Sequence, residues 1–233
     1  MTMLSIQRLN QYYGESHILW DLDLDIPPGA VTCLMGRNGV GKTTLLKCLM
    51  GLLPIRTGEI LIEGHDLASE IAEKRARVGI GYVPQGREIF SQLTVEENLK
   101  TGLSARPDGL KEIPDRIFEL FPVLKQMLNR RGGDLSGGQQ QQLAIGRALA
   151  IDPKVLILDE PNEGIQPNIV HQIGDVILKL NEEEKLTVLL VEQKLGFARR
   201  VGKTFSLMEK GRIVAKGDMQ DLSDDLIHQH LAV

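Results

Sequence analysis

Nine residues, GRNGVGKTT at 36–44, match the spacing of a glycine, any four residues, then glycine-lysine-threonine. Glycines so spaced let successive main-chain N–H groups curl around an anion. The residues placed on the phosphates of a nucleotide are therefore Gly36, Arg37, Asn38, Gly39, Val40, Gly41, Lys42, Thr43 and Thr44. Lys42 reaches the β- and γ-phosphates, and the Thr43 hydroxyl takes Mg²⁺. A second stretch, KVLILDEP at 154–161, is apolar until it ends in two carboxylates. Asp159 supplies the second Mg²⁺ contact. Glu160, on the other face of the strand end, can hold and polarise an attacking water. This is the chemistry of nucleoside triphosphate hydrolysis.

The base-reading pattern N-K-x-D of guanine sites is absent, which favours adenine. Adenine needs a flat apolar contact, and Tyr13, just before Gly14, offers one. A third stretch, GGDLSGGQQQQLAIGRAL at 132–149, holds another anion site. Ser136 and Gln139 fit a capping box, so a helix should start near Gly137 with bare amides exposed. A helix start of that kind binds anions. A cap accounts for Ser136 and Gln139, but not for the double glycine Gly137-Gly138.

These residues need a scaffold, and the rest of the chain supplies an α/β pattern. WDLDLDIPPG alternates apolar and acidic residues from Trp20 to Ile26 and stops at a turn. Short apolar strands are expected at 30–35, 58–64, 78–84, 155–159 and 186–192. TFSLMEKGRIVAKG predicts a hairpin turning at Lys210-Gly211. Residues 94–131 read as helices broken at Pro107, Pro114 and Pro122, with a capping box at Thr94. A further helix is expected at about 168–181, and NEEEK at 181–185 reads as its solvated end. Strands alternating with helices imply a largely parallel sheet, with a β-rich N-terminal part and a helical insert.

Composition narrows the class further. Of 233 residues 42% are hydrophobic and 25% charged, as in soluble globular proteins. A net charge of −4 argues against nucleic acid as a partner. Cys33 and Cys48 read as small core residues in a reduced, cytoplasmic setting, and the five histidines show no metal spacing. The start, MTMLSIQRLNQYYG, lacks the features of a signal peptide, and no apolar run is long enough to cross a bilayer.

GRNGVGKTT, YVPQ, LSGGQ and VLILDEP, in this order and spacing, resemble the nucleotide-binding subunits of ATP-binding cassette transporters. The resemblance covers essentially the whole chain. It implies a P-loop NTPase core with a parallel sheet, an N-terminal antiparallel β part and a helical lobe. As one domain spanning 1–233, the core would take about 1–85 and 153–233 and the lobe about 86–152. The cofactors implied are ATP and Mg²⁺. In that family two domains meet head to tail, so Ser136, Gly137, Gly138 and Gln139 would bind the partner's ATP. Gln85 would touch Mg²⁺ and the water and sense the membrane partner. Residues 86–131 would dock on a permease at the cytoplasmic face of the membrane, with Ile89, Phe90 and Leu93 either lining the groove or packing inside.

Two positions depart from the family pattern. Gln193 stands where most relatives carry a His on the γ-phosphate, and Asn162 stands where Thr follows LDEP. A glutamine amide still donates to a phosphate oxygen but carries no charge. VEQ at 191–193 resembles the second ATPase subunit of branched-chain amino-acid and urea or short-amide importers. Such importers pair it with a different, His-bearing subunit, work with permease subunits and depend indirectly on an external binding protein. GYVPQGREIF and LDEPNEGIQPNIV are closer to the urea and amide subunit. Amino-acid import, a non-transport cassette ATPase, an exporter subunit and a homodimer all remain open at this stage.

Overall fold

A computed structural model describes residues 2–231; Met1, Ala232 and Val233, the ends of the expected 1–233 domain, lie outside the described residues. The chain begins with strands β1 (Leu4–Tyr13), β2 (Ser16–Ile26) and β3 (Val31–Met35), then helix α1 (Lys42–Leu49). Next come β4 (Thr57–Ile62), β5 (His65–Asp66), α2 (Ala72–Arg77) and β6 (Ile80–Val83). A helical stretch follows: α3 (Val95–Leu103), α4 (Asp115–Leu120), α5 (Pro122–Gln126) and α6 (Gly137–Leu149). Then β7 (Val155–Asp159), α7 (Pro167–Glu184), β8 (Thr187–Val191) and α8 (Leu195–Val201) alternate. A hairpin of β9 (Thr204–Glu209) and β10 (Arg212–Asp218) leads to α9 (Asp224–His230).

The strands form two sheets. One is antiparallel, in the order β2-β1-β4-β5. The other runs β10-β9-β3-β8-β7-β6, parallel throughout except for the edge strand β10. VTCLM, VLILD and TVLLV are buried at every position because both faces of this sheet are covered. Their period of two divides them between two cores. Leu156, Leu158, Val188 and Leu190 face the helices α3–α8. Val155, Ile157, Leu189 and Val191 face α1 and the antiparallel sheet. Each such side chain contributes roughly 1.5–3 kcal/mol by leaving water. The apolar runs thus read as central strands because no face of them meets solvent.

The helical stretch is locked by local chemistry. Thr94 and Glu97 form the expected capping box at the start of α3. The buried Asn98 amide clamps both the N–H and the carbonyl of Phe90, at 2.8 and 2.9 Å. Close packing of α3 on α6 needs Gly102, where a Cβ would sit 2.3 Å from the Arg147 carbonyl. Ile89 and Leu93 are partly buried, while Phe90 is exposed, with the Arg147 guanidinium 5.2 Å from its ring centroid.

Three expectations need correction. The alternation in β2 does not begin at Trp20: Asp21 has φ 40° and the β1–β2 register shifts there, so Trp20 turns outward and Leu19 inward. Helix α7 runs longer than expected, and Asn181 is fully buried, donating to the Gly29 and Leu186 carbonyls. Only Glu182–Lys185 form the solvated end. Helices α2 and α9 had no periodic signature. Cys33 and Cys48 are buried and unpaired, and burial pushes their thiols up to about 12 and about 11.

Candidate active site

Strand order alone brings the chemical residues together. At the carboxyl ends of the neighbouring strands β3, β8, β7 and β6 lie the phosphate loop, Gln193, Asp159-Glu160 and Gln85 in turn. Ligands of open parallel sheets bind at this edge. Four stretches spread over some 160 residues therefore become one site.

The phosphate loop is shaped by its glycines. Gly41 sits at φ 111° as the N-cap of α1 and makes no side-chain cap bond, so the first-turn amides face the loop. At Gly36 a Cβ would lie 2.4 Å from the Met208 carbonyl of β9. The β9–β10 turn supports the loop from behind, where the Gly211 N–H donates to the Val40 carbonyl at 2.9 Å. Lys42 is buried, and its amine donates to the Gly36 and Arg37 carbonyls at 2.7 and 3.0 Å. Burial lowers its pKa against the opposing pull of Glu160 and Asp159. The hydroxyl-bearing Thr43 and Thr44 follow on the first turn of α1, Thr43 exposed.

Asp159 and Glu160 differ sharply. Asp159 is 2% exposed and its Oδ2 has no hydrogen-bond partner among the described residues. Burial, then the Glu160 charge, raises its pKa to about 6, with Lys42 and the Gln85 main-chain N–H pulling the other way. Glu160 is held at φ 47°, with its N–H on the Val191 carbonyl at 2.9 Å. That left-handed residue turns its carboxylate toward Gln193, whose Nε2 donates to Glu160 Oε1 at 2.5 Å and to Asn38 Oδ1 at 2.8 Å. Gln193 is the bridge between loop and carboxylate.

Gln85 lies at the edge of the site, after β6. Its side-chain amide donates to Glu163 Oε2 at 2.9 Å, while its main-chain N–H serves Asp159. Glu163 was not singled out in the sequence; nothing in "EPNEG" distinguishes it from a solvated loop residue. Arg87 was missed too. Its guanidinium donates to the Glu163 carbonyl and to Gln140 on α6, at 3.2 and 3.3 Å. Tyr13 is exposed on the face of the β1–β2 hairpin shared with Ser16 and Ile18, and Ile18 lies against Gly41. Tyr12 takes the opposite face, stacked on His17.

Beyond Arg87, Ser136 caps α6, its Oγ accepting the Gln139 N–H at 3.4 Å while the Gln139 side-chain oxygen accepts the Ser136 N–H at 2.9 Å. A cleft of about 450 Å³ opens here, lined by Ser136, Gly137, Gly138 and Gln139 and, across from them, Gly164 and Gln166. The double glycine has an internal reason that the sequence did not show. A Cβ on Gly138 would lie 2.9 Å from Ile169 of α7, and one on Gly137 would meet the Arg87 guanidinium at 3.3 Å. It therefore speaks less for a ligand than its sequence suggested.

The family model described as "ABC transporter" matches residues 19–163. A probable branched-chain amino acid transport ATP-binding protein, LivF, of Archaeoglobus fulgidus is 40% identical over 94% of each chain. The high-affinity branched-chain amino acid transport ATP-binding protein BraG of Pseudomonas aeruginosa is 42% identical over 91% of each. Among solved structures, the ADP conformation of MJ1267, an ATP-binding cassette of an ABC transporter, superposes with TM-score 0.85 at 29% identity over 98% of each chain. The dimeric structure of MJ0796, a bacterial ABC transporter cassette, gives 0.82 at 26% identity, covering 93% of this chain and 99% of that one. The chain therefore belongs to the ABC transporter family, as an ATP-binding and ATP-hydrolysing subunit.

Proposed function

We propose that this chain powers a membrane importer by hydrolysing ATP between its own phosphate loop and the signature helix of a second subunit. The observation that carries this reading is the Gln193 bridge from Asn38 to Glu160. It joins the residue that would feel the γ-phosphate to the carboxylate that would take a proton from the attacking water. Gln193 Nε2 has two N–H groups, and both are engaged. A γ-phosphate oxygen would have to draw one of them away, which couples nucleotide arrival to the freedom of Glu160. The amide does this without charge, so its hold on the phosphate is about half that of a protonated His.

The oxygen donors Thr43 and Asp159 fit Mg²⁺ rather than a softer ion, and the partnerless Asp159 Oδ2 supports that fit. Among the described residues no group of three His, Cys, Asp or Glu forms a protein-only metal cage, so phosphate oxygens would complete the coordination. When bound, the ion neutralises charge on the β- and γ-phosphates. Tyr13 would stack on the adenine. Ser136, Gly137, Gly138 and Gln139 would face the ATP of the second subunit, across the cleft that Gly164 and Gln166 share. That subunit is a His-bearing relative or a second copy, and the dimeric MJ0796 cassette supports the pairing.

Among the described residues no helix is long and apolar enough to cross a membrane. Docking on permease subunits, with Phe90 exposed on the helical lobe 86–152, would hold the chain peripherally at the cytoplasmic face. The core would comprise about 1–85 and 153–233. For the solute, GYVPQGREIF and LDEPNEGIQPNIV favour urea or a short amide, delivered by an external binding protein. Branched-chain amino acids are the second reading, favoured by LivF and BraG at 40% and 42% identity. Uptake of labelled urea and labelled leucine, in cells with and without the gene, separates them. Loss of urea uptake alone supports the first reading, loss of leucine uptake alone the second, and no change in either removes import by both routes.

A further inference from the structure

Glu192, which follows β8, is a carboxylate only 3% exposed. Its Oε1 accepts the main-chain N–H groups of Gln193 and Lys194, each at 2.9 Å. Its Oε2 accepts the side-chain amide of Asn162 at 2.7 Å. Asn162 is fully buried, two residues beyond Glu160, and its carbonyl accepts the Lys194 amine at 3.1 Å. The loop after β8 and the loop after β7 are thus stitched together around Gln193.

A buried carboxylate is costly unless donors satisfy it, and here three N–H groups do. An apolar residue would fill the same core position without that requirement. What the carboxylate adds is direction. By holding the N–H groups of Gln193 and Lys194, it fixes the backbone from which the Gln193 amide reaches Asn38 and Glu160. Asn162 in turn fixes the carboxylate, while the Glu192 main-chain N–H donates to the Leu34 carbonyl of β3 at 3.3 Å.

Resting on the ATPase reading above, we propose that Glu192 and Asn162 are positioning residues, a buried carboxylate–amide pair that acts on turnover through Gln193. Steady-state ATP turnover by the purified full-length chain tests this. Asn162→Ala should lower kcat roughly tenfold, the factor of a hydrogen bond to a charged group, with KM for ATP little changed. Asn162→Thr, whose hydroxyl can still donate to Glu192, should restore kcat. In a Gln193→Ala background Asn162→Ala should have no further effect. Equal factors in both backgrounds, or a Thr variant no better than Ala, would overturn the proposal. Amide hydrogen exchange gives a readout free of catalysis: Glu192→Ala should strip protection from Gln193 and Lys194, and unchanged protection would also overturn it. A Glu160→Gln chain as fast as the parent would instead remove Glu160 as the base, and with it the reading of the Gln193 bridge on which this proposal rests.

Discussion

The starts of α1 and α6 are two solutions to one problem, a helix N-terminus offered to an anion. At α1 the N-cap is a left-handed glycine with no side-chain bond, and a buried lysine stands in the first turn. At α6 the N-cap is a serine whose hydroxyl already accepts the Gln139 N–H, and no cation lies in the first turn. The first would wrap a phosphate with amides and a full charge. The second offers a hydroxyl and the remaining amides of one turn. The bonds of its serine cap stay within one turn, whereas the loop before α1 is wired through Asn38 and Gln193 to the Glu160 carboxylate. That difference suits a loop that binds ATP by itself and a helix start that acts only on ATP held elsewhere.

The largest predicted effect sharpens the wired side. Glu160→Gln should reduce turnover by about 10²–10⁴-fold while ATP binding persists, because general base catalysis of water is lost. Single-turnover ATP hydrolysis checks it, and turnover within tenfold of the parent would exclude Glu160 as the base.

Asp159 yields a paired prediction of opposite signs. Its folded pKa, raised to about 6, means that the protonated form is the more stable one in the folded chain. That contribution is fully present below the unfolded value and is lost as pH rises through about 6. The nucleotide-free chain should therefore gain stability through this group as pH falls from 7. Mg²⁺ affinity of the nucleotide-free chain should fall over the same range, since the cation needs the ionised carboxylate. Asp159→Asn should stabilise the nucleotide-free fold at pH 7 by up to about 3 kcal/mol and abolish turnover. Calorimetric melting beside a turnover assay reads both; a destabilised variant would contradict the partnerless burial.

Gly138→Ala probes the α6 side. Contact with Ile169 at 2.9 Å should cost about 1–3 kcal/mol of stability, as overpacking does. Chemical denaturation measures this, and a neutral result would return the double glycine to a purely ligand-directed role. The smallest effect concerns charge on the bridge. Gln193→His should strengthen ATP binding and turnover by a few-fold below the imidazole pKa, since a charged donor is about twice as strong as a neutral one. Unchanged affinity and turnover would remove the bridge from γ-phosphate contact.

Much of this was legible in the sequence because glycine spacing, a capping box and an apolar run ending in acid are local signals. GRNGVGKTT, S-x-x-Q and VLILDE fix their own backbone, and their places in the fold followed from strand–helix alternation. The burial of Glu192 was not legible. "VEQK" looks like a strand end meeting solvent, and only Asn162, thirty residues earlier in the chain, explains why its carboxylate is inside. The outward turn of Trp20 depends on a bulge at Asp21, which apolar alternation does not record. The packing of Gly138 on Ile169 likewise required knowing that α7 starts beside α6.

The most direct test of the division between the two helix starts is ATP affinity of the dilute chain carrying Ser136→Asp. Aspartate keeps the helix cap and places a negative charge where another subunit's γ-phosphate would come. The account predicts an ATP dissociation constant like that of the parent, with turnover lost at concentrations where the parent is active. Lys42→Ala, by comparison, should lose binding at any dilution. If Ser136→Asp weakened ATP binding by the dilute chain as much as Lys42→Ala does, both helix starts would serve one nucleotide within one chain, and the account would be wrong.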